Sequence, residues 1–251
     1  MTPPGRRPTA VRSAGGRAAR GRRPVAEPVL PSGLEPATVD DLDDDVRLDE
    51  VAIGPGSAAG RTIEGLTLKH STLTGVRLTG ATLRGLALVD VVIEDCDLAG
   101  VTFAETTFRG VSIRRCRMSG VVAADLAATD SRIVDTRADE IWLRAARIDH
   151  CEIVDCDLTG SDWYAARVRE SIIAGSRLDG GELSAIELDD VVVLGTTFAG
   201  AQGMADLRNI TIGTGQLVEI GLPVLAALGI VIDDGALDPD DPDDQEGGRG
   251  A

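Results

Sequence analysis

The sequence predicts an all-β solenoid of square coils, and three observations carry that expectation. Leu73, Leu78, Leu83, Leu88, Ile93 and Leu98 recur at every fifth position. An amphipathic helix has a period of 3.6 and a half-buried strand a period of 2, so neither explains this spacing. The residue two places before each centre is small or compact, as at Ser71, Val76, Ala81 and Cys96. Two inward positions in five need a chain that turns a corner every five residues. Glycine then stands at 60, 80, 100, 120, 160, 180 and 200, with Glu140 the one exception. A 20-residue spacing of corner glycines means four corners per coil.

The register runs without insertion from about Val46 to Ala205, which makes eight coils and a rod of roughly 40 Å. Ile53, Leu73, Ile93, Ile113, Ile133, Ile153, Ile173 and Val193 form the centre of one face. Aromatic residues are scarce: two Trp, one Tyr and three Phe in 251 residues. The interior is therefore narrow and filled by aliphatic side chains. A single coil cannot bury its centres, so each is covered by its neighbours and the ends need caps.

The expected organisation has four parts. Residues 1–35 are rich in Arg, Pro and Gly and read as a disordered arm. Residues 36–205 form the β-helix. Residues 206–232 break the period and read as an apolar C-terminal cap of one or two short helices, with Pro223 between them or starting the second. Residues 233–251 read as a disordered acidic tail. The net charge is −16. No segment has the apolar length of a membrane helix, and no apolar region follows Arg6-Arg7 to make an export signal, so a cytoplasmic chain is expected.

The blocks CDLAG (96–100), VTFAE (101–105), CDLTG (156–160) and TTFAG (196–200) carry a family resemblance. The chain resembles the pentapeptide repeat proteins over about 160 of its 251 residues. That resemblance implies a right-handed quadrilateral β-helix. It also implies a functional alternative, because some members mimic a DNA duplex, bind type II topoisomerases and protect DNA gyrase from quinolones. Here basic residues are mixed among the acids of the coils, and no face is an uninterrupted acidic stripe. The family's projecting loops are also absent from the repeat.

The residues themselves point away from chemistry. His70 and His150 are the only histidines. They lie four coils apart, roughly 19 Å, too far to share a metal. Cys96, Cys116, Cys151 and Cys156 all occupy inward small positions and read as reduced core residues. No phosphate-binding glycine loop and no nucleophile–histidine pair stands out. The expectation is a non-catalytic interaction or scaffold protein that needs no cofactor or metal.

Function in a solenoid lies on its faces. Val134, Val154, Ala174 and Leu194 form an outward apolar column, with Ile172 and Val192 beside it. Trp142 and Tyr164 face outward one coil apart on the opposite side, where exposed aromatics suit a binding surface. Arg77, Asp97, Arg117, Arg137, Asp157 and Arg177 read as stacked charge pairs. The cap, including Leu225, is apolar enough to mediate a homodimer. The expected partner is another protein, DNA gyrase being the specific alternative, with no direct nucleic acid and no membrane.

Overall fold

The computed structural model describes residues 23–232. They form a parallel β-solenoid with one short C-terminal helix. Short strands, mostly of three residues, are joined by corners and stack on the strands of the next coil. Sheet A contains ten strands, beginning with Glu35–Ala37 and Val51–Ile53 and ending with Val191–Leu194 and Ile210–Ile212. Sheet B contains eight, from Arg47–Asp49 to Glu187–Asp189. The two remaining faces, C (Gly56–Ser57 and Val76–Arg77) and D (Thr62–Glu64, Thr82–Arg84 and Thr102–Ala104), hold strands only in the early coils. Further along they continue as single parallel bridges such as Arg77–Asp97, Asp97–Arg117, Val122–Trp142 and Trp142–Asp162. Ten stacked strands stand nine coil steps apart, a length of roughly 43 Å.

The expected register holds. Ile93 pairs with Leu73 on one side and with Ile113 on the other, 20 residues away in each direction. Ile53, Ile63, Leu68, Leu98, Ile113 and Leu178 are almost wholly buried, and Trp163 is the largest of the fully buried side chains.

The corners go beyond the single glycine column. Every fifth residue from Gly60 to Gly200 has φ between 45° and 69°. Many of these are Asp, Glu, His, Arg or Ala, for which the left-handed conformation costs roughly 1–2 kcal/mol. The corner N–H recovers part of that cost by donating to a carbonyl of the next coil. Asp90 N–H bonds Arg109 O at 2.9 Å, and Asp95 N–H bonds Arg114 O at 3.1 Å.

The small inward positions have a polar task as well as a steric one. Ser71 Oγ accepts the Val51 N–H at 3.2 Å, and Ser131 Oγ accepts the Val111 N–H at 3.0 Å. Thr136 Oγ1 accepts the Cys116 N–H at 3.3 Å, and Ser176 Oγ accepts the Cys156 N–H at 3.1 Å. Cys96 Sγ does the same for Val76 N–H. Each of these side chains satisfies a buried backbone donor of the preceding coil that would otherwise be orphaned.

One coil is underfilled. Its centres are Ala123, Ala128, Ile133 and Ala138, between Phe103 and Phe108 on one side and Leu143, Ile148 and Ile153 on the other. The result is an apolar cavity of about 50 Å³. Phe103 and Phe108 pack edge to face beside it, with ring centres 5.6 Å apart.

Both ends differ from the expectation. The N-terminal end is closed by a first coil that is too short, Glu35 pairing with Val51 only 16 residues on. A 3-10 turn at Val39–Asp41 spans the opening and buries Val39 and Leu42. Asp41 Oδ2 accepts from Thr38 N–H at 2.7 Å, and Arg61 donates to Leu42 O at 2.8 Å, so the turn is fastened to the rod. At the other end the solenoid continues past residue 205. Ile210–Ile212 adds the last strand of sheet A, with Val191 paired to Ile210, one residue short of a full coil. One helix follows, Leu217–Ala227, and Pro223 lies within it. Pro223 neither separates two helices nor starts a second. Its missing N–H strips only the Glu219 carbonyl of an intrahelical partner, on a helix that is mostly exposed.

Residues 1–22 and 233–251, including most of the expected arm and the whole expected tail, lie outside the described residues. The described part of the arm, residues 23–34, lies along sheet A as an extended strap. Among the described residues, no helix is long and apolar enough to cross a membrane.

Candidate interaction surface

Trp142 and Tyr164 emerge from face D one coil apart and are about half exposed, at 49% and 48%. The side chain that unites them is Arg144, whose carbon Cζ lies 5.6 Å from the Trp142 ring centre and 5.9 Å from that of Tyr164. Arg144 Nε donates to Asp162 Oδ2 at 2.6 Å. The other oxygen of the largely buried Asp162 accepts the Tyr164 N–H at 3.0 Å. One carboxylate thus fixes the cation and the backbone beneath the second ring. The contacts of guanidinium with two rings add about 0.5–1 kcal/mol each at an exposed site. Sequence reasoning found the two aromatics and missed Arg144 and Asp162. Their signal was the same coil arithmetic: Arg144 is 20 residues before Tyr164, and Asp162 is 20 after Trp142.

The apolar columns of sheet A are only partly open. Val134, Val154, Ala174 and Leu194 are half-buried, and so is Ile172. Val192 is buried at 1%, unlike the outward exposure expected of it. The added strand extends the column, so Val192 lies between Ile172 and Thr211 rather than at its end. At the C-terminus Leu217, Val218, Leu222 and Leu228 are exposed, Leu225 is half-buried, and Ile220 alone of the helix is buried.

The strap crosses the same sheet. Val25 is 7% exposed, and its N–H donates to Glu152 Oε1 at 3.2 Å. Glu27 receives ion pairs from both Arg114 and Arg132, which stand on successive coils. Arg132 also reaches Glu152 Oε2 at 3.3 Å, and Arg114 Nε donates to Ser112 Oγ at 2.9 Å. Near the start of the strap, His150 Nε2 lies 2.9 Å from the Arg23 carbonyl and Nδ1 lies 2.6 Å from Asp130 Oδ1. Two acceptors on one ring require two N–H groups, so this arrangement is that of an imidazolium. The carbonyl of Arg23, then Asp130, raise the His150 pKa above its ordinary value. His70 meets Asp49 at 2.8 Å instead, four coils away.

The charge ladder on face C is realised in part. Arg117 pairs with Asp97 at 3.7 Å and Arg177 with Asp157 at 3.6 Å. Arg137 turns to Asp139, two residues on, at 2.7 Å and holds that carboxyl below its usual range. The four cysteines are buried and free. Burial pushes the Cys151 thiol up to about 12 and the Cys156 thiol up to about 11. Contact with Cys96, then burial, raises Cys116 as well. These three raised thiols, Cys116, Cys151 and Cys156, are poor nucleophiles at neutral pH. Among the described residues no group of His, Cys, Asp and Glu is arranged to hold a metal ion.

The family model for pentapeptide repeats matches residues 88–122 with eight copies, in the same five-residue register that turns every corner from Gly60 to Gly200. Residues 88–122 of this chain are pentapeptide repeats. No curated protein matches it. Solved structures similar to this chain include HetL, a pentapeptide repeat protein involved in heterocyst differentiation regulation from the cyanobacterium Nostoc sp. strain PCC 7120. That alignment has 14% identity, covers 66% of this chain and 87% of HetL, and has a TM-score of 0.43. Full-length QnrB1, a plasmid-mediated fluoroquinolone resistance protein, aligns at 18% identity over 79% of this chain and 100% of its own, with a TM-score of 0.32. Rfr23, a pentapeptide repeat protein from the cyanobacterium Cyanothece 51142, aligns at 14% identity over 57% of this chain and 90% of its own, with a TM-score of 0.19.

Proposed function

We propose that this chain is a non-catalytic interaction scaffold that docks a partner protein on face D, at Trp142, Arg144 and Tyr164. The observation that carries this reading is the Arg144 guanidinium held against both exposed rings and anchored by Asp162. Trp, Tyr and Arg are the residues that dominate binding energy at protein interfaces. Here they are pre-arranged on a rigid stack, which lowers the ordering cost of association. The four buried thiols and the two carboxylate-paired histidines serve the rod itself and take no part in a reaction.

The test is quantitative affinity capture from native extract with the full chain and with Trp142→Ala/Tyr164→Ala. A specific partner is expected to be retained at least about 10-fold less by the double variant, since a hot-spot truncation costs 2 kcal/mol or more. Equal retention of every captured protein by both chains would refute docking on face D.

A second reading is a DNA-like inhibitor or protector of a type II topoisomerase. The observation in its favour is one corner column that holds Glu50, Asp90, Asp130, Glu170 and Asp190, with His70, Gly110 and His150 at its other places. Its test is DNA gyrase supercoiling with and without the purified chain. Unchanged supercoiling and unchanged quinolone sensitivity would remove this reading and leave the first intact.

A further inference from the structure

We propose that sheet A, between Ser112 and Glu152, is a docking site for an extended segment of a partner protein with an aliphatic residue followed two positions later by a carboxylate. Residues 25–27 of this chain hold that site in cis. The inference goes beyond the scaffold reading, which rests on another face.

The chemistry of the occupant is read from the seated strap. Residues i and i+2 of an extended chain project to the same side. Val25 and Glu27 face the sheet together, Val25 buried beside Glu152 and Glu27 on two guanidinium groups. The receptor side has contacts of its own. Ser112 Oγ accepts from Arg114 Nε at 2.9 Å, and Glu152 Oε2 lies 3.3 Å from Arg132 Nη2. The other Glu152 oxygen is left to accept a backbone N–H, that of Val25 here. Ser112 occupies an outward place in its strand and is nevertheless fully buried, so this part of the sheet is covered.

Two further features argue that the site exceeds its cis occupant. Arg132 Nε is buried without a hydrogen-bond partner. It is a donor that a segment with one more acceptor would satisfy. Among the described residues, residues 25–27 make one backbone hydrogen bond to the receptor, that of Val25 N–H, beside the two Glu27 ion pairs, and Val29, just beyond, is 74% exposed. A contact this sparse is favoured chiefly because the strap is tethered, with an effective concentration in the millimolar range. A partner segment of the same pattern competes once the tethered one is weakened.

The experiment uses the full chain and a fluorescent peptide with the sequence of residues 23–33, followed by anisotropy. The Glu27→Ala chain is expected to bind this peptide at least about 10-fold more tightly than the wild-type chain, whose own strap competes. Adding Arg132→Ala to that chain should abolish binding. A peptide with Lys in place of its Glu should not bind. Val25→Asn in the full chain is an independent way to release the strap, and circular dichroism checks that each variant keeps its strands. Equal affinity of wild-type and released chains, or equal binding of the Lys peptide, overturns the proposal.

Discussion

At the residue scale, the fifth position of each block decides more than its variable chemistry suggests. Every such residue from Gly60 to Gly200 is left-handed, but the space around each differs. A Cβ on Gly180 would meet open space, whereas one on Gly203, a left-handed glycine just past the last corner, would lie 2.2 Å from Ser184 N. Gly180→Ala is therefore expected to cost about 1–2 kcal/mol. Gly203→Ala adds a backbone clash and should cost about 2–5 kcal/mol. Thermal denaturation of both variants checks the order, and similar losses would show that the C-terminal junction yields easily. His150 supplies a second residue-scale prediction. It faces Asp130 and the Arg23 carbonyl, with Asp149, Glu170, Asp190 and Thr129 around the same pocket. Its pKa is raised while the strap is docked. The contribution of protonated His150 to strap docking is then fully present below about 6.5, the ordinary histidine value, and is lost as the pH rises through the raised value. Exchange of the Val25 amide, corrected for its intrinsic rate, should accelerate over that rise. The His150→Gln chain should show no such step. A wild-type rate that is flat with pH would mean that His150 does not latch the strap.

At the element scale, the coil from 121 to 140 is the soft one. Three of its four centres are Ala where other coils have Leu, Ile or Phe, and the apolar cavity of about 50 Å³ lies there. A void of that size costs about 1 kcal/mol on the usual cavity scale. Ala128→Val adds two methyl groups toward it and is expected to raise the melting temperature by about 2–4 °C. Leu98→Ala, in a filled coil, should instead lose about 2–5 kcal/mol. If Ala128→Val lowers the melting temperature, the void is bounded by side chains too rigid to admit a branched residue. The Ser, Thr and Cys ladder is the other element-scale feature. Its members were read from the sequence as small, and their smallness is only half the reason for them. Ser71, Cys96, Cys116, Ser131, Thr136, Ser171 and Ser176 also carry an acceptor that reaches the N–H of the preceding coil.

At the scale of the whole molecule, the two ends are unlike. The N-terminal end is sealed by Val39 and Leu42, both buried. The C-terminal helix exposes Leu217, Val218, Leu222 and Leu228. An apolar helix at one end of a rod favours isologous pairing of two such ends, in which one substitution acts twice. Sedimentation of the full chain is expected to show a dimer that Leu222→Glu or Leu225→Glu dissociates. Leu194→Glu, on sheet A, should leave it intact. A wild-type monomer at high concentration would exclude pairing and assign the helix to another partner.

The five-residue register, the four-cornered coil, the inward columns and the presence of a C-terminal cap were determined by the sequence alone. They were legible because each is a local spacing repeated many times. Trp142 and Tyr164 were also legible as outward residues. The tertiary structure decided what depended on a single long-range encounter. Arg144 finds its two rings and Asp162 only after coils stack. Val192 is buried, and a strand beyond the expected repeat pairs beside it. Glu27 meets Arg114 and Arg132 across 87 and 105 residues of chain. A periodic pattern reports contacts that every repeat makes with its neighbours, whereas a contact made once leaves no period to read.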